Sequence, residues 1–459
     1  MDKRKQKKKC TETSAQPDEM SKGSPPTAIC KKTRNSRKSK IKFRCDYSPT
    51  PLKVLQARGW TRVQEPKDNS WDIWWCDTSE LKLALDGPVK LEANQRVSHF
   101  RNHCELTRKN YLYRNLRRYR RLLVKANKSR EAELCNAMPM SFELPAEYRM
   151  LVEEHRRCQG TTWIVKPAGG SQGRGIFLFQ RLKDLTEWRT KECVMMPDAS
   201  DLDTVPAVPV ATYVVQKYID NPYLLEGRKF DLRIYVLVTS FQPLKVWLAR
   251  EGFARLSSEQ FSLERIDERR VHLTNMSIQL KTEARKSEGE RVQSLGRKLP
   301  LNWLRSHLTA RHGRELVQRL LRNIAGIIMA SLQSVQSVII PSKNSFELYG
   351  YDVLLDANLR PWLLEINASP SLNATDPDDF RLKFDLIDDL LSVLDLERLL
   401  TGRETRVGGF DLLWDDAPVW SADQPRELNI FLGADNDRAD QLKRLRERLG
   451  VTKVPGGGG

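Results

Sequence analysis

The chain has 459 residues and a mass of 53.0 kDa, enough for two or three packed domains around a large core, which excludes a small stapled scaffold. A formal net charge of +18 and an isoelectric point near 9.5 predict attraction to polyanions, and charge alone does not choose among nucleic acid, anionic membrane and acidic protein. Eight scattered cysteines (Cys10, Cys30, Cys45, Cys76, Cys104, Cys135, Cys158, Cys193) form no CxxC pair or zinc-spaced cluster, and no apolar run reaches membrane-spanning length, so the expectation is a soluble intracellular protein with reduced thiols.

Residues 1–46 are basic, rich in Ser, Thr and Pro and nearly free of periodic apolar positions, which predicts a disordered tail. Trp60, Trp71, Trp74 and Trp75 then mark a folded N-terminal α/β domain over 47–160, with the tryptophans in its core. Within it Leu112, Leu116, Tyr119 and Leu123 recur at helical spacing. Arg114, Arg117, Arg118 and Arg121 fall on another face of that helix, either solvated or turned towards an anion. The span 161–400 reads as strand-rich from Thr162 to Leu256, a flexible loop from Lys281 to Lys298 and helical from Trp303 to Val338. A hairpin from Tyr349 to Asn367 and an amphipathic helix from Phe384 to Leu400 complete it, and 401–459 reads as a variable appendage.

Glu365 and Asn367 are separated by one residue, so on a strand they point the same way. If the chain reverses about Asn358-Leu359, Asp352 lies opposite Glu365, and three hard oxygen donors converge as magnesium requires. The loop Lys166-Pro-Ala-Gly-Gly-Ser-Gln-Gly-Arg-Gly-Ile joins two β-type runs, and its glycines let backbone amides approach phosphate oxygens. It lacks the GxxxxGK[ST] pattern of a Walker A loop. Lys229, Asp231 and Arg233 alternate at a strand start, which suits either a buried ion-pair ladder or contact with ribose and phosphate. Arg250 near the end of the next strand joins that face, and His272-Leu-Thr-Asn275 is a polar knot whose role spacing alone does not show.

Taken in order, Lys166-Pro, Gly-Gly-Ser-Gln-Gly-Arg-Gly-Ile, Lys229-Phe-Asp-Leu-Arg, His272-Leu-Thr-Asn, and Tyr-Gly-Tyr-Asp352 with Glu365-Ile-Asn-Ala-Ser-Pro-Ser-Leu resemble the tubulin–tyrosine-ligase-like family over about residues 50–395. The Asn-His-Cys-Glu-Leu-Thr-Arg-Lys segment is most similar to the polyglutamylases of that family. The resemblance implies an α+β, ATP-grasp fold that clamps nucleotide between two lobes within 161–400, preceded by a smaller domain. It implies that Lys166, Arg233 and Glu365 serve catalysis, and that Gln172, Gly173, Arg174 and Gly175 form the phosphate loop, Gln172 also lying near the acceptor chain. Gln216, Lys217, Tyr218 and Ile219 become the adenine hinge, while Lys229, Phe230, Asp231, Thr274 and Asn275 complete the ATP pocket. Asp352, Glu365 and Asn367 become the magnesium ligands, and Arg250 and Lys298 hold the carboxylates of an incoming amino acid.

The activity so implied is ATP- and magnesium-dependent joining of free L-glutamate to carboxylates of the acidic tubulin tail through an acyl phosphate. Glycine ligation by the same apparatus, or an inactive microtubule-binding scaffold, are the alternatives. Expected partners are tubulin or microtubules and accessory subunits, with no nucleic acid and no membrane. The expected place is the cytoplasm and cytoskeleton, at the basal body and axoneme of a cilium or flagellum.

Overall fold

The computed structural model describes residues 40–47, 49–65, 68–87, 90–170, 172–187, 212–280, 298–422 and 427–448. Its first sheet is parallel, with strands β1 (Lys42–Cys45), β2 (Thr61–Arg62), β3 (Ile73–Trp75) and β4 (Arg96–Val97) in the order β2-β1-β3-β4. The fold therefore starts inside the stretch assigned to the basic tail, not at residue 47. Strand β1 alternates Lys42 and Arg44 with Phe43 and Cys45, so its charges hide a short strand whose apolar side is buried. Trp60, Trp71, Trp74 and Trp75 are all buried, as their clustering predicts.

A second, antiparallel sheet orders β5 (Ser141–Leu144), β6 (Trp163–Pro167), β7 (Phe177–Phe179) and β8 (Tyr213–Lys217) as β5-β8-β6-β7. Because β5 pairs with β8, a boundary at residue 160 cuts through this sheet, and the predicted division there is corrected. Pairing across sequence, invisible to composition, sets the unit.

The third sheet holds β9 (Leu224–Leu225), β10 (Arg228–Phe241), β11 (Leu244–Leu256), β12 (Lys298–Pro300), β13 (Glu347–Leu355), β14 (Pro361–Asn367), β15 (Arg406–Val407) and β16 (Phe410–Asp415). Its main order is β14-β13-β10-β11-β16-β15, with β9 on β10 and β12 on β11. Strand β16 extends the sheet beside β11, Trp247 opposite Leu412, so the segment after residue 400 is no appendage. Lys298 opens β12, and only 281–297 of the predicted loop lies outside the described residues.

Alternation along β10 divides the core. Ile234, Val236 and Val238 pack with Ile324, Ile328 and Leu332 of helix Arg314–Gln336 and with Leu112, Leu116 and Leu123 of helix Lys109–Lys125. Tyr235 and Leu237 face the opposite way, onto Ile387 and Leu390 of helix Pro377–Leu394 and onto Phe43 and Val54. That helix starts earlier than expected, because Pro377 fits the first turn and the Asp376 side chain accepts a hydrogen bond from the Asp379 amide. The helical block beyond Leu301 breaks at Gly313, whose φ of +85° interrupts Leu301–His312 and Arg314–Gln336. The arginine stripe is partly spoken for within the fold: Arg114 donates to both Glu143 oxygens at 2.5 Å, Arg117 to Glu147 at 2.9 Å and Arg118 to the Ser334 carbonyl.

Candidate active site

An open cleft lies between the second sheet and the β13–β14 hairpin. Ile164 of β6, Ile176, Tyr218 and Leu273 form one apolar wall, and Leu354 of β13 with Leu364 of β14 supply the other. The register explains Leu364. Asp352 faces Glu365 and Val353 faces Leu363, so Leu364 is the extra residue of a β-bulge, and both Leu364 and Glu365 line the cleft. Two apolar walls around a slot suit a flat heteroaromatic ring.

Beyond the apolar slot the lining becomes cationic. Lys166 Nζ donates to Gln216 Oε1 at 2.7 Å, and the Gln216 amide donates on to Ser141 Oγ at 3.0 Å. Lys229 Nζ donates to the Tyr218 hydroxyl at 2.8 Å and to the His272 carbonyl at 2.9 Å, while His272 Nδ1 bonds the same Tyr218 hydroxyl. Burial pushes the Lys166 ammonium down to about 8, with the Glu365 charge opposing, and pushes Lys229 down to about 7, with repulsion from Lys166 adding to the effect. Two desolvated ammonium groups in one cleft favour an anionic ligand, which would restore their charge.

An ion-pair chain floors this region. Arg233 stands opposite Asp352 across β10 and β13 and donates to it at 2.7 and 3.2 Å. Arg255 stands opposite Asp231 across β10 and β11 and donates to both of its oxygens, then reaches Asp352 at 2.7 Å. Burial pushes the Asp352 carboxyl up while Arg233 and Arg255 oppose it. Glu365 is likewise penalised by burial, but Lys109 at 2.9 Å and Lys166 outweigh that and hold its carboxyl below the usual range. Asn367 Nδ2 lies 3.3 Å from Glu365 Oε1.

Two carboxylates and one side-chain amide at the end of a hairpin fit a hard divalent cation that completes its shell with phosphate and water. Among the described residues no group of three or more His, Cys, Asp or Glu gathers at metal-binding distance, so this pair of carboxylates relies on Asn367 for a third donor. The glycine loop closes over the same end. Gln172, Gly173 and Gly175 all have φ between 58° and 69°, and a Cβ on Gly173 would come 2.5 Å from Ile278 Cδ1, so a side chain there is opposed both by the backbone and by that contact. Arg269 donates to the Gly173 carbonyl and Ser277 to that of Gln172, which ties the loop to the segment holding Thr274 and Asn275. Ser171 lies outside the described residues.

Lys166, Gly173, Arg174, Gln216, Lys217, Tyr218, Ile219, Lys229, Asp231, Thr274, Asn275, Asp352 and Glu365 thus share one cleft. Seven other candidates do not line it. Gln172, Gly175 and Asn367 border it in the loop and at the hairpin end. Phe230 alternates away from Lys229 and Asp231 into the main core, fully buried, so its assignment to the nucleotide is corrected. Arg233 is outside the lining and donates to both Asp352 oxygens at 2.7 and 3.2 Å. Arg250 donates through Nε and a terminal nitrogen to Asp411 at 2.7 and 2.8 Å and to the Asp435 carbonyl at 3.2 Å, a structural clamp on β16. Lys298 donates to Thr375 and Asp379, both at 2.7 Å.

Sequence reasoning missed Lys109 and Arg255, which line the cleft, and the apolar wall of Ile164, Ile176, Leu354 and Leu364. Arg255 had no readable signal, since an odd separation puts it on the face opposite Arg250, and the sequence pattern assigns Arg250 to the site. Lys109 had none beyond its place in the Leu-Thr-Arg-Lys run.

A model of the tubulin-tyrosine ligase family matches residues 89–403. The chain is 44% identical over 451 residues to the mouse "Probable tubulin polyglutamylase TTLL9", covering 92% of this chain and 95% of that protein. It is 41% identical over 387 residues to the Caenorhabditis elegans "Probable tubulin polyglutamylase ttll-9", covering 84% and 87%. It is 38% identical over 400 residues to the Tetrahymena thermophila "Probable alpha-tubulin polyglutamylase Ttll1", covering 82% and 94%.

Proposed function

Because this chain belongs to the tubulin-tyrosine ligase family, we propose that it is a tubulin polyglutamylase, joining glutamate to carboxylates of the acidic tubulin tail at the expense of ATP. The observation that carries the reading is the meeting of Lys166, Lys229, Asp352 and Glu365 in one cleft with the apolar side chains Ile164, Ile176, Leu273, Leu354 and Leu364.

A carboxylate is a poor electrophile at neutral pH. ATP, when bound, supplies the phosphoryl group that converts the acceptor carboxylate to an acyl phosphate, which an amine can attack. Asp352, Glu365 and Asn367 would hold magnesium, whose charge offsets that of the phosphates. Ile164, Tyr218, Leu273 and Leu354 would hold the base. Lys166 and Lys229 would meet the phosphates, and the backbone of the glycine loop would cover them. Arg233 and Arg255 fix Asp352 and Asp231 in place, so the floor does not reorganise as charge moves. Work of this kind is mostly alignment and charge neutralisation, which suits phosphoryl transfer.

The test is incorporation of radiolabelled glutamate, or glycine in parallel, into purified microtubules with Mg-ATP by the wild-type chain and by Glu365→Gln. Glutamate labelling that the substitution abolishes supports the reading, whereas glycine labelling moves the assignment to glycylation. Absence of both, persisting with cell-derived partners while microtubules still bind, would leave a scaffold. The same reading puts the protein on cytoskeletal microtubules of cilia or flagella. An endogenously tagged chain that avoids basal bodies and axonemes would remove that part of it.

A further inference from the structure

Lys109 is the first residue of helix Lys109–Lys125, behind Arg108, and the first turn holds no acidic residue. A helix N-terminus carries partial positive charge, so an ammonium group there is disfavoured, and burying it adds a desolvation penalty. The Lys109 side chain is nonetheless only 9% exposed. Its compensation comes from two places: Nζ is 2.9 Å from Glu365 Oε2 and donates to the Gly170 carbonyl at 2.9 Å. The Lys109 amide also donates to the Ala168 carbonyl at 3.2 Å. One residue thus ties the helix start, the glycine loop and the acid of β14 together, on the lining of the cleft.

We propose that Lys109 is a positioning residue, a tethered cation that pins the glycine loop to Glu365 and neutralises that carboxylate when no divalent ion does. The inference rests on the ATP-ligase reading. No covalent bond changes at Lys109. Two consequences follow from the shared oxygen. Lys109 and a divalent ion compete for Glu365 Oε2, and the loop and floor are already in register before nucleotide arrives.

The experiment titrates a fluorescent ATP analogue into the full-length chain in EDTA and at graded magnesium, comparing wild type with Lys109→Met, Lys109→Gln and Lys109→Arg, each checked by circular dichroism melting. Amide hydrogen exchange over residues 168–176 reports the loop. With the methionine variant, metal-free nucleotide binding is expected to weaken roughly tenfold and loop exchange to quicken, because a buried cation and an anchor are both lost. Its half-saturating magnesium should fall several-fold, since Glu365 is no longer held. Lys109→Gln can keep the hydrogen bond to Gly170 but loses the charge, so it should lower the magnesium requirement and weaken metal-free binding while loop exchange stays near wild type, which leaves the idea testable if the methionine variant does not fold. Lys109→Arg, still a cation able to bridge both partners, should stay within about threefold of wild type. Folded methionine and glutamine variants indistinguishable from wild type in magnesium titration and loop exchange would overturn the inference alone. A wild-type chain that binds no ATP analogue at any magnesium concentration would overturn the ligase reading with it.

Discussion

Arg250 and Arg255 sit five residues apart on β11, both buried and both bidentate to an aspartate, yet they serve different parts of the molecule. Arg255 turns to the cleft, where Asp231 and Asp352 receive its guanidinium. Arg250 turns away, and Asp411 of β16 with the Asp435 carbonyl takes up its donors. A buried arginine–aspartate pair therefore says nothing about function by itself. What separates the two is whether the partner acid also faces open space that a ligand can fill.

The sharpest way to widen this contrast is to remove an acid from each cluster. Glu365→Gln should leave a folded protein, because an amide oxygen still accepts from Lys109, while ligation falls by roughly 100-fold or more, measured as labelled glutamate per microtubule. Asp411→Ala should do the reverse: stranding Arg250 destabilises the fold by about 3–5 kcal/mol, read from urea denaturation, while nucleotide affinity of the folded fraction holds. The double change Arg250→Met with Asp411→Leu should recover most of that stability. If Asp411→Ala instead altered glutamate dependence without altering stability, Arg250 would return to the substrate site.

A smaller effect concerns pH. Lys229 is held near 7 and Lys166 near 8 by burial, against an ordinary value of 10.5. The empty cleft then loses positive charge as pH rises through about 7 to 8, so metal-free ATP affinity should fall over that window and binding should take up protons, detectable in buffers of different ionisation enthalpy. For stability the sign is opposite. Above pH 7 the unfolded chain binds more protons at these lysines than the folded one does, so their unfavourable contribution shrinks as pH rises towards 10. Gly173→Ala should raise the ATP concentration needed for half-maximal rate several-fold, since its φ of +69° and the 2.5 Å approach to Ile278 both oppose a side chain.

The smallest effect belongs to the basic helix. Arg114 and Arg117 are engaged with Glu143 and Glu147, so reversing Arg121, exposed on the same helix, should weaken microtubule binding only a few-fold and only at low salt. An equal loss at high salt would point to a specific contact instead of steering.

The sequence by itself determined the pieces whose meaning is local. Alternation put Glu365 and Asn367 on one side of a strand, the reversal near Asn358-Leu359 put Asp352 opposite Glu365, and glycines at 173 and 175 announced a loop with positive φ. Those depend on two-residue periodicity and backbone sterics, which are written in neighbours. Tertiary structure decided everything that rests on partners far along the chain. It decided that β5 belongs with β8, that β1 and β16 are integral strands, that Phe230 faces the core, and that Arg250 is a clamp while Arg255 and Lys109 reach the cleft. A charged side chain takes its role from what lies within about 3 Å of it after folding, and for Lys109 that is a carboxylate 256 residues away.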